Sequence, residues 1–274
     1  MAAALPSFTP LEETLYLTLA GRALDSRAPN PYLGDTTSAE VVRKIGYDLS
    51  AFPLPKSKIP DIAVRAIILD DVVRGFVARH PDAVVLDLGA GLDTRVHRVA
   101  PPPTVDWYDV DFPAVIRARE RVMPPRPNAH GIATDVTDPR WLEQVPADRP
   151  AVIVADGLIG FVTEADFTAL LNRLTGHFPS GELALNTYPK YVVWLIKHFH
   201  IIGSASTLIR HSGFDDPHDA ERWDPDLELV EEIFATRVLP TIATSPPLLR
   251  MVNRLVGLSP ALSRKTTTVV HYRF

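Results

Sequence analysis

Apolar positions along this chain follow two rhythms, one of helical spacing and one of short unbroken runs. Amphipathic patterns over residues 11–23 and 38–45 predict two helices, which with their flanks form a helical lead-in over 1–60. Between 62 and 79, Ile62, Leu69, Val72, Val73, Phe76 and Val77 recur at helical spacing, and His80-Pro81-Asp82 ends the pattern. Residues 83–88 then form an apolar run interrupted only by Asp87, as expected for a strand buried on both faces of a parallel sheet. Further strands are predicted over 105–110, 130–133, 151–155 and 182–185, with a helix over 167–178 that Pro179-Ser180-Gly181 turns into the last of them. Residues 188–209 break the rhythm, being aromatic and apolar without strand punctuation. A helical pattern returns over 223–234, and the β-rich residues 266–274 predict a closing strand.

Alternating strands and helices predict an α/β fold, a doubly wound and mostly parallel Rossmann-like sheet within one domain spanning 1–274. A sheet of that kind binds ligands outside the carboxyl ends of its strands. Composition narrows the partners. A formal charge of −5 without a basic run argues against a nucleic-acid backbone, so the expected partner is a small molecule. With no cysteine there is no disulfide framework, thiolate metal site or thiol nucleophile. No uncharged apolar run reaches the roughly 18 residues of a membrane span, and the expected setting is cytoplasmic, with no membrane partner. Oligomeric state is not legible.

The turn after the first strand carries the candidate chemistry. In Asp87-Leu88-Gly89-Ala90-Gly91-Leu92-Asp93-Thr94-Arg95, glycines let backbone amides approach a ligand closely ahead of a helix N-terminus. A tight turn before a capped helix explains the glycines equally well. Thr94 stands where a dinucleotide fingerprint requires Gly or Ala, and Asp93 places a carboxylate where it can cap the helix and repel a pyrophosphate. A sulfonium cofactor suits those acids better. About twenty residues past Gly91, the next strand ends at Asp111, the position from which a carboxylate accepts both ribose hydroxyls, with Phe112 beside it. Asp109, two residues earlier and on the same side, is the competing structural acid. After the third strand, Asp135 is placed to take an adenine amino group and Val136 to cover the ring, although Asp135 also fits a helix cap.

These segments resemble the leucine carboxyl methyltransferase superfamily, in its bacterial branch of polyketide-synthesis O-methyltransferases of the tetracenomycin type. The resemblance rests on Glu13-Thr14, Gly21 through Arg27, Ile45-Gly46-Tyr47-Asp48, Ala63-Val64-Arg65 with Asp70-Asp71, Leu88 through Arg95, Trp107 through Pro113, Trp141-Leu142 and Ala155-Asp156-Gly157-Leu158. It implies a class I methyltransferase sheet with an antiparallel closing strand and S-adenosylmethionine as cofactor. Arg65 then receives the methionine carboxylate, a task suited to a permanently charged planar fork. Asp156, with Gly157, faces the amino and sulfonium region, and stands where the family usually has glutamate. Asn186 stands where aspartate is common, which removes one proposed general base.

Methyl transfer to oxygen is an in-line displacement that positioning and desolvation accelerate. A carboxylate acceptor needs no base, whereas a hydroxyl does, and the candidates are His198, His200 and His211. Each is equally explained as a packed or surface histidine, and no metal site is expected. Residues 186–225 predict a lid or acceptor-pocket insertion in which Tyr188, Tyr191 and Trp194 contact a hydrophobic substrate, although a core helix or dimer interface gives the same pattern. Two other functions fit parts of the pattern: a nicotinamide-dependent oxidoreductase, and a degenerate cofactor-binding regulatory protein.

Overall fold

The computed structural model of the protein describes residues 4–51, 55–213 and 215–274. Residues 1–3 and 52–54 of the predicted lead-in, and residue 214 of the predicted insertion, lie outside the described residues. Among the described residues, seven strands form one sheet: β1 (Val84–Leu88), β2 (Asp106–Asp111), β3 (Ala129–Ala133), β4 (Ala151–Ala155), β5 (Gly181–Thr187), β6 (Glu228–Phe234) and β7 (Thr268–Arg273). Their order is β3-β2-β1-β4-β5-β7-β6. The first five pair in parallel, and β7 runs antiparallel between β5 and β6. The order reverses between β1 and β4, so a crevice opens there at the carboxyl ends of the strands.

Period-two alternation divides the sheet into two apolar faces. Leu86 and Leu88 of β1 and Ile153 of β4 face α6 (Glu164–His177) through Phe167, Leu170 and Leu174. Val85, Val152 and Val154 face α3 (Ile59–Arg79) through Leu69, Val73 and Phe76. Each large apolar side chain sealed in this way contributes roughly 1.5–3 kcal/mol. A third cluster joins α1 (Leu15–Ser26) and α2 (Thr36–Ile45) to α5 (Pro113–Val122), with Leu19, Val41 and Leu92 at its centre. The lead-in helices therefore pack over the β1–β2 side and close the crevice from above.

The helix expected over 223–234 is replaced by two elements: a short α8 (Asp219–Trp223) and the edge strand β6. A bulge between Leu229 and Glu231 interrupts the period-two pattern, so the sequence reads at a false helical phase. Cross-strand pairing of Glu228 with Arg273 at 2.7 Å shows the register that the structure adopts. The remaining helices are α4 (Arg95–Val99), α7 (Lys190–Phe199), α9 (Ala235–Val238), α10 (Pro247–Gly257) and α11 (Pro260–Ser263). Among the described residues, no helix is long and apolar enough to cross a membrane.

Candidate functional site

A cleft of about 460 Å³ occupies the carboxyl edge of the sheet. Arg65, Gly89, Ala90, Gly91, Asp111, Phe112, Asp135, Val136, Asp156 and Gly157 all line it. Ten residues drawn from five separate stretches of chain thus reach one cavity. Glu12, Thr14, Leu15 and Thr18 of the lead-in line it as well. They were not legible beforehand, because an amphipathic pattern shows that a helix has an inner face without showing what that face covers.

The glycine turn owes its shape to left-handed backbone at Gly89 (φ +64°) and Gly91 (φ +50°), where a Cβ costs about 1–2 kcal/mol. At Gly91 a Cβ would also meet the Leu15 Cβ at 3.4 Å. The Gly91 amide donates to Asp111 Oδ2 at 2.7 Å, and the Phe112 amide donates to Asp111 Oδ1 at 2.7 Å. Burial pushes the Asp111 carboxyl above its ordinary range, opposed by those two amides and by Arg119. More donors would favour its ionised form. Asp109 is occupied elsewhere: it accepts from the Trp107 indole at 3.0 Å and pairs with Arg119. The competition between the two acids resolves by partner, since only Asp111 lines the cavity.

Beneath the turn, Asp35, Asp70, Asp87 and Asp93 meet the buried guanidiniums of Arg22, Arg95 and Arg98. Half-exposed Arg74 approaches Asp70 at 3.8 Å. Asp93 does not cap α4, whose N-cap Thr94 makes no side-chain cap bond. Three arginines hold the Asp93 carboxylate instead, at 2.8 to 3.3 Å, and keep it well below its ordinary pKa against the cost of burial. Its power to repel a pyrophosphate is correspondingly reduced. The cluster carries one carboxylate more than it has buried guanidiniums. Burial, with Asp93 and Asp109 adding to it and Arg95 opposing, pushes Asp87 up to about 7.

At the other end of the crevice Arg65 Nε pairs with Asp156 Oδ1, and Arg65 Nη1 donates to Tyr188 Oη at 2.9 Å. Asn186 is buried at the end of β5 and its Oδ1 accepts from the Gly157 amide at 2.6 Å, which fixes the loop carrying Asp156.

A model of the family described as leucine carboxyl methyltransferase matches residues 16–175. The tetracenomycin polyketide synthesis O-methyltransferase of Streptomyces glaucescens is 35% identical over 266 residues, 97% of each chain. The chain belongs to the leucine carboxyl methyltransferase family. It is a methyltransferase, and S-adenosylmethionine is its cofactor, which sets the nicotinamide reading aside. An S-adenosyl-L-methionine-dependent methyltransferase of Gibberella zeae is 32% identical over 248 residues, 83% of each chain. Two solved structures are similar in fold. A DUF574 family protein of Streptomyces avermitilis has a TM-score of 0.58 at 15% identity, covering 94% of this chain and 99% of that one. Magnesium protoporphyrin IX methyltransferase of Synechocystis with bound S-adenosylhomocysteine has a TM-score of 0.50 at 14% identity, covering 87% and 95%.

In this methyltransferase the aromatic segment after β5 turns differently from expectation. Tyr188 lines the cleft, but Tyr191 and Trp194 do not. On α7 it is Val193 and Ile196 that face the cavity, joined by Ile202 and Ile209, while Trp194 is 52% exposed. The correction is one of helical phase: three residues separate Val193 from Ile196, and Tyr191 from Trp194, on opposed faces of one helix. His198 lies on that outer face, stacked on Trp194 at 4.1 Å, with its Nδ1 at 2.9 Å from the Trp194 carbonyl oxygen. It does not reach the cavity. His211 is buried behind the cleft, where the Gly213 amide donates to its Nδ1 at 2.9 Å. Burial pushes the His211 pKa down, so its ring is neutral, and the nitrogen that would take a proton is already an acceptor. Arg22 and Arg95 lie in the buried ion cluster.

Proposed function

We propose that this methyltransferase moves a methyl group from S-adenosylmethionine to a carboxylate oxygen of a small apolar acceptor, with a polyketide-like acid as the nearest chemical class. The observation that carries the reading is one cleft with Asp111 at one end, the Arg65–Asp156 pair at the other, and an apolar wall from α7 and the segment after it beside that pair.

The residues fit the cofactor group by group. Asp111, buried and raised in pKa, gains the donors it lacks from a ribose diol. Asp135 and Val136 lie in the same cavity wall and suit the adenine amino group and ring face. Arg65 offers a guanidinium to the amino acid carboxylate, and Asp156 offers a carboxylate to the ammonium. Both are held against each other, so each keeps its orientation. The cavity lining holds seven acids, Glu12, Asp87, Asp93, Asp111, Asp135, Asp156 and Asp166, against Arg65 and Arg210, which suits a cationic donor. When bound, the cofactor supplies an electrophilic methyl on a sulfonium. The protein's part is to align the acceptor oxygen and exclude water, and Val193, Ile196, Ile202 and Ile209 do both.

A carboxylate acceptor is supported by the placement of the histidines. His198 points away from the cavity, and the His211 Nδ1 is engaged by a backbone amide. A carboxylate arrives ionised at neutral pH and needs neither. The similarity to the tetracenomycin polyketide synthesis O-methyltransferase supports an oxygen acceptor.

Isothermal titration with S-adenosylmethionine tests the first half, with Asp111→Ala and Arg65→Ala expected to weaken binding and Asp48→Ala, exposed and outside the cavity, expected to leave it unchanged. Mass spectrometry of reactions with aromatic carboxylic acids and their hydroxyl analogues tests the second. A gain of one methylene only on the hydroxyl compounds overturns the carboxylate assignment, and intact binding without any transfer favours the regulatory reading.

A further inference from the structure

The connection between β6 and β7 carries a helix turned inside out. On α10, Leu248, Met251, Val252 and Leu255 are 70%, 55%, 45% and 62% exposed, and Leu258 beyond its end is 81% exposed. The polar Asn253 is the residue that this helix buries. Spaced at three and four, those five apolar side chains form one stripe along the outer face, where a surface helix ordinarily carries charge. Contiguous exposed apolar surface of this kind marks a contact site.

Charge identifies the partner. From Ile233 to the end at Phe274 the sequence has six Lys and Arg residues and no Asp or Glu, within a chain whose net charge is −5. Two of the six are neutralised on the sheet, Arg264 by Glu232 and Arg273 by Glu228. Arg237, Arg250, Arg254 and Lys265 have no acidic partner among the described residues. Arg237 donates to the Gly257 carbonyl oxygen at 3.4 Å and lies over the Phe234 ring, and Arg250 donates to the carbonyl oxygens of Ser245, at 2.8 Å, and Ala243; none of these contacts neutralises the charge. The stripe is thus flanked by uncompensated cations. A two-fold contact between copies through this face sets the same four cations against themselves with no acid to answer them.

The position in the fold adds to this. β6 ends and β7 begins at the carboxyl edge of the sheet, where Phe234 pairs with Thr268 and Thr187 of β5 pairs with Thr268. The connection therefore leaves from and returns to the edge where the cleft opens, while Ala235, Val238, Leu239 and Ile242 pack on the α3 face of the sheet. α7 leaves the same edge and exposes Trp194 and Phe199, side chains suited to a water–lipid boundary.

We propose that α10 and its flanks form an interfacial anchor that lays the methyltransferase on an anionic lipid surface, with the leucine stripe in the acyl boundary and Arg237, Arg250, Arg254 and Lys265 among the headgroups. The expectation of no membrane partner, drawn from the lack of a spanning run, does not extend to such a helix, because its apolar residues are interleaved with arginine.

Sedimentation of the full chain with vesicles tests the proposal without any activity measurement. Vesicles of phosphatidylglycerol mixed with phosphatidylcholine should pull the protein down, phosphatidylcholine alone should do so weakly, and added salt should release it. Leu255→Glu should abolish sedimentation, and Arg254→Glu with Lys265→Glu should weaken it by roughly tenfold or more. All three positions are exposed, and an unchanged melting curve separates lost binding from lost folding. No sedimentation with anionic vesicles, or sedimentation that Leu255→Glu leaves intact, overturns the proposal. So does a dimer in analytical ultracentrifugation that Leu255→Glu converts to monomer while vesicle binding is absent.

Discussion

Arg65 and Asp156 pair at one end of the cleft, from α3 and from the loop after β4, with about a tenth of each side chain exposed. The pair sits under Tyr188, whose hydroxyl accepts from the same guanidinium. Removing one partner of a buried pair strands the other, at a cost of about 3 kcal/mol. Arg65→Met and Asp156→Leu should therefore each destabilise the fold by that order in urea denaturation, while the double variant recovers most of the loss. Neither single variant nor the double should bind S-adenosylmethionine at wild-type affinity. A double variant as unstable as the sum of the singles contradicts a coupled pair.

Asp111 offers a cleaner separation of charge from shape. Asp111→Asn keeps one acceptor for the Gly91 or Phe112 amide but loses the anion, and the loss of charged hydrogen bonds costs about 1.5–3 kcal/mol, roughly tenfold to a hundredfold in affinity. Calorimetric titration should show that loss for the cofactor with little change in unfolding temperature. Equal affinities would place the ribose elsewhere.

Much of this site was legible because its chemistry lies at strand ends. Asp87 and the loop of Asp156 each sit at an apolar run that leaves little choice of element, Asp111 ends the next strand one β-α-β passage beyond Gly91, and the parallel order then brings these ends together. What was not legible depended on phase and on distant partners. The bulge in β6 imitated a helix, and the outer face of α7 carried the more conspicuous aromatics. Asp93 looked like a helix cap because the three arginines that hold it come from positions 22, 95 and 98, and Arg22 is some seventy residues away in sequence.

The excess carboxylate beneath the glycine turn has a pH signature. Asp87 has a folded pKa raised from 3.8 to about 7, so between those values the folded state holds a proton that the unfolded state has released. Stability contributed by that protonation is present below 3.8 and is lost as pH rises towards 7, with a slope of at most about 1.4 kcal/mol per pH unit. Asp93 acts in the opposite sense at lower pH, since its depressed pKa gives stability that is lost only as pH falls through the acid range. Unfolding temperature measured across the interval should decline with rising pH, and Asp87→Asn should flatten that decline. A bound sulfonium favours ionised Asp87, so the preference for S-adenosylmethionine over neutral S-adenosylhomocysteine should also grow as pH rises through 7. A preference independent of pH would separate Asp87 from the sulfonium.

The two faces of α7 make opposite predictions for the acceptor. Ile196 lines the cavity and Trp194 does not, although both are large, apolar and two residues apart. Truncating Ile196 to alanine removes apolar contact worth about 1–3 kcal/mol from the acceptor's binding wall, which should raise KM roughly tenfold while kcat falls less. Trp194→Ala should leave KM for a soluble acceptor unchanged, because its ring stacks on His198 outside the cavity. His198→Gln should do the same and should keep the pH dependence of kcat, since the imidazole does not face the reacting oxygen. Steady-state kinetics of the three variants against one acceptor decide the matter: a KM shift at Trp194 or a lost acid limb at His198 would mean that α7 rotates when the acceptor binds.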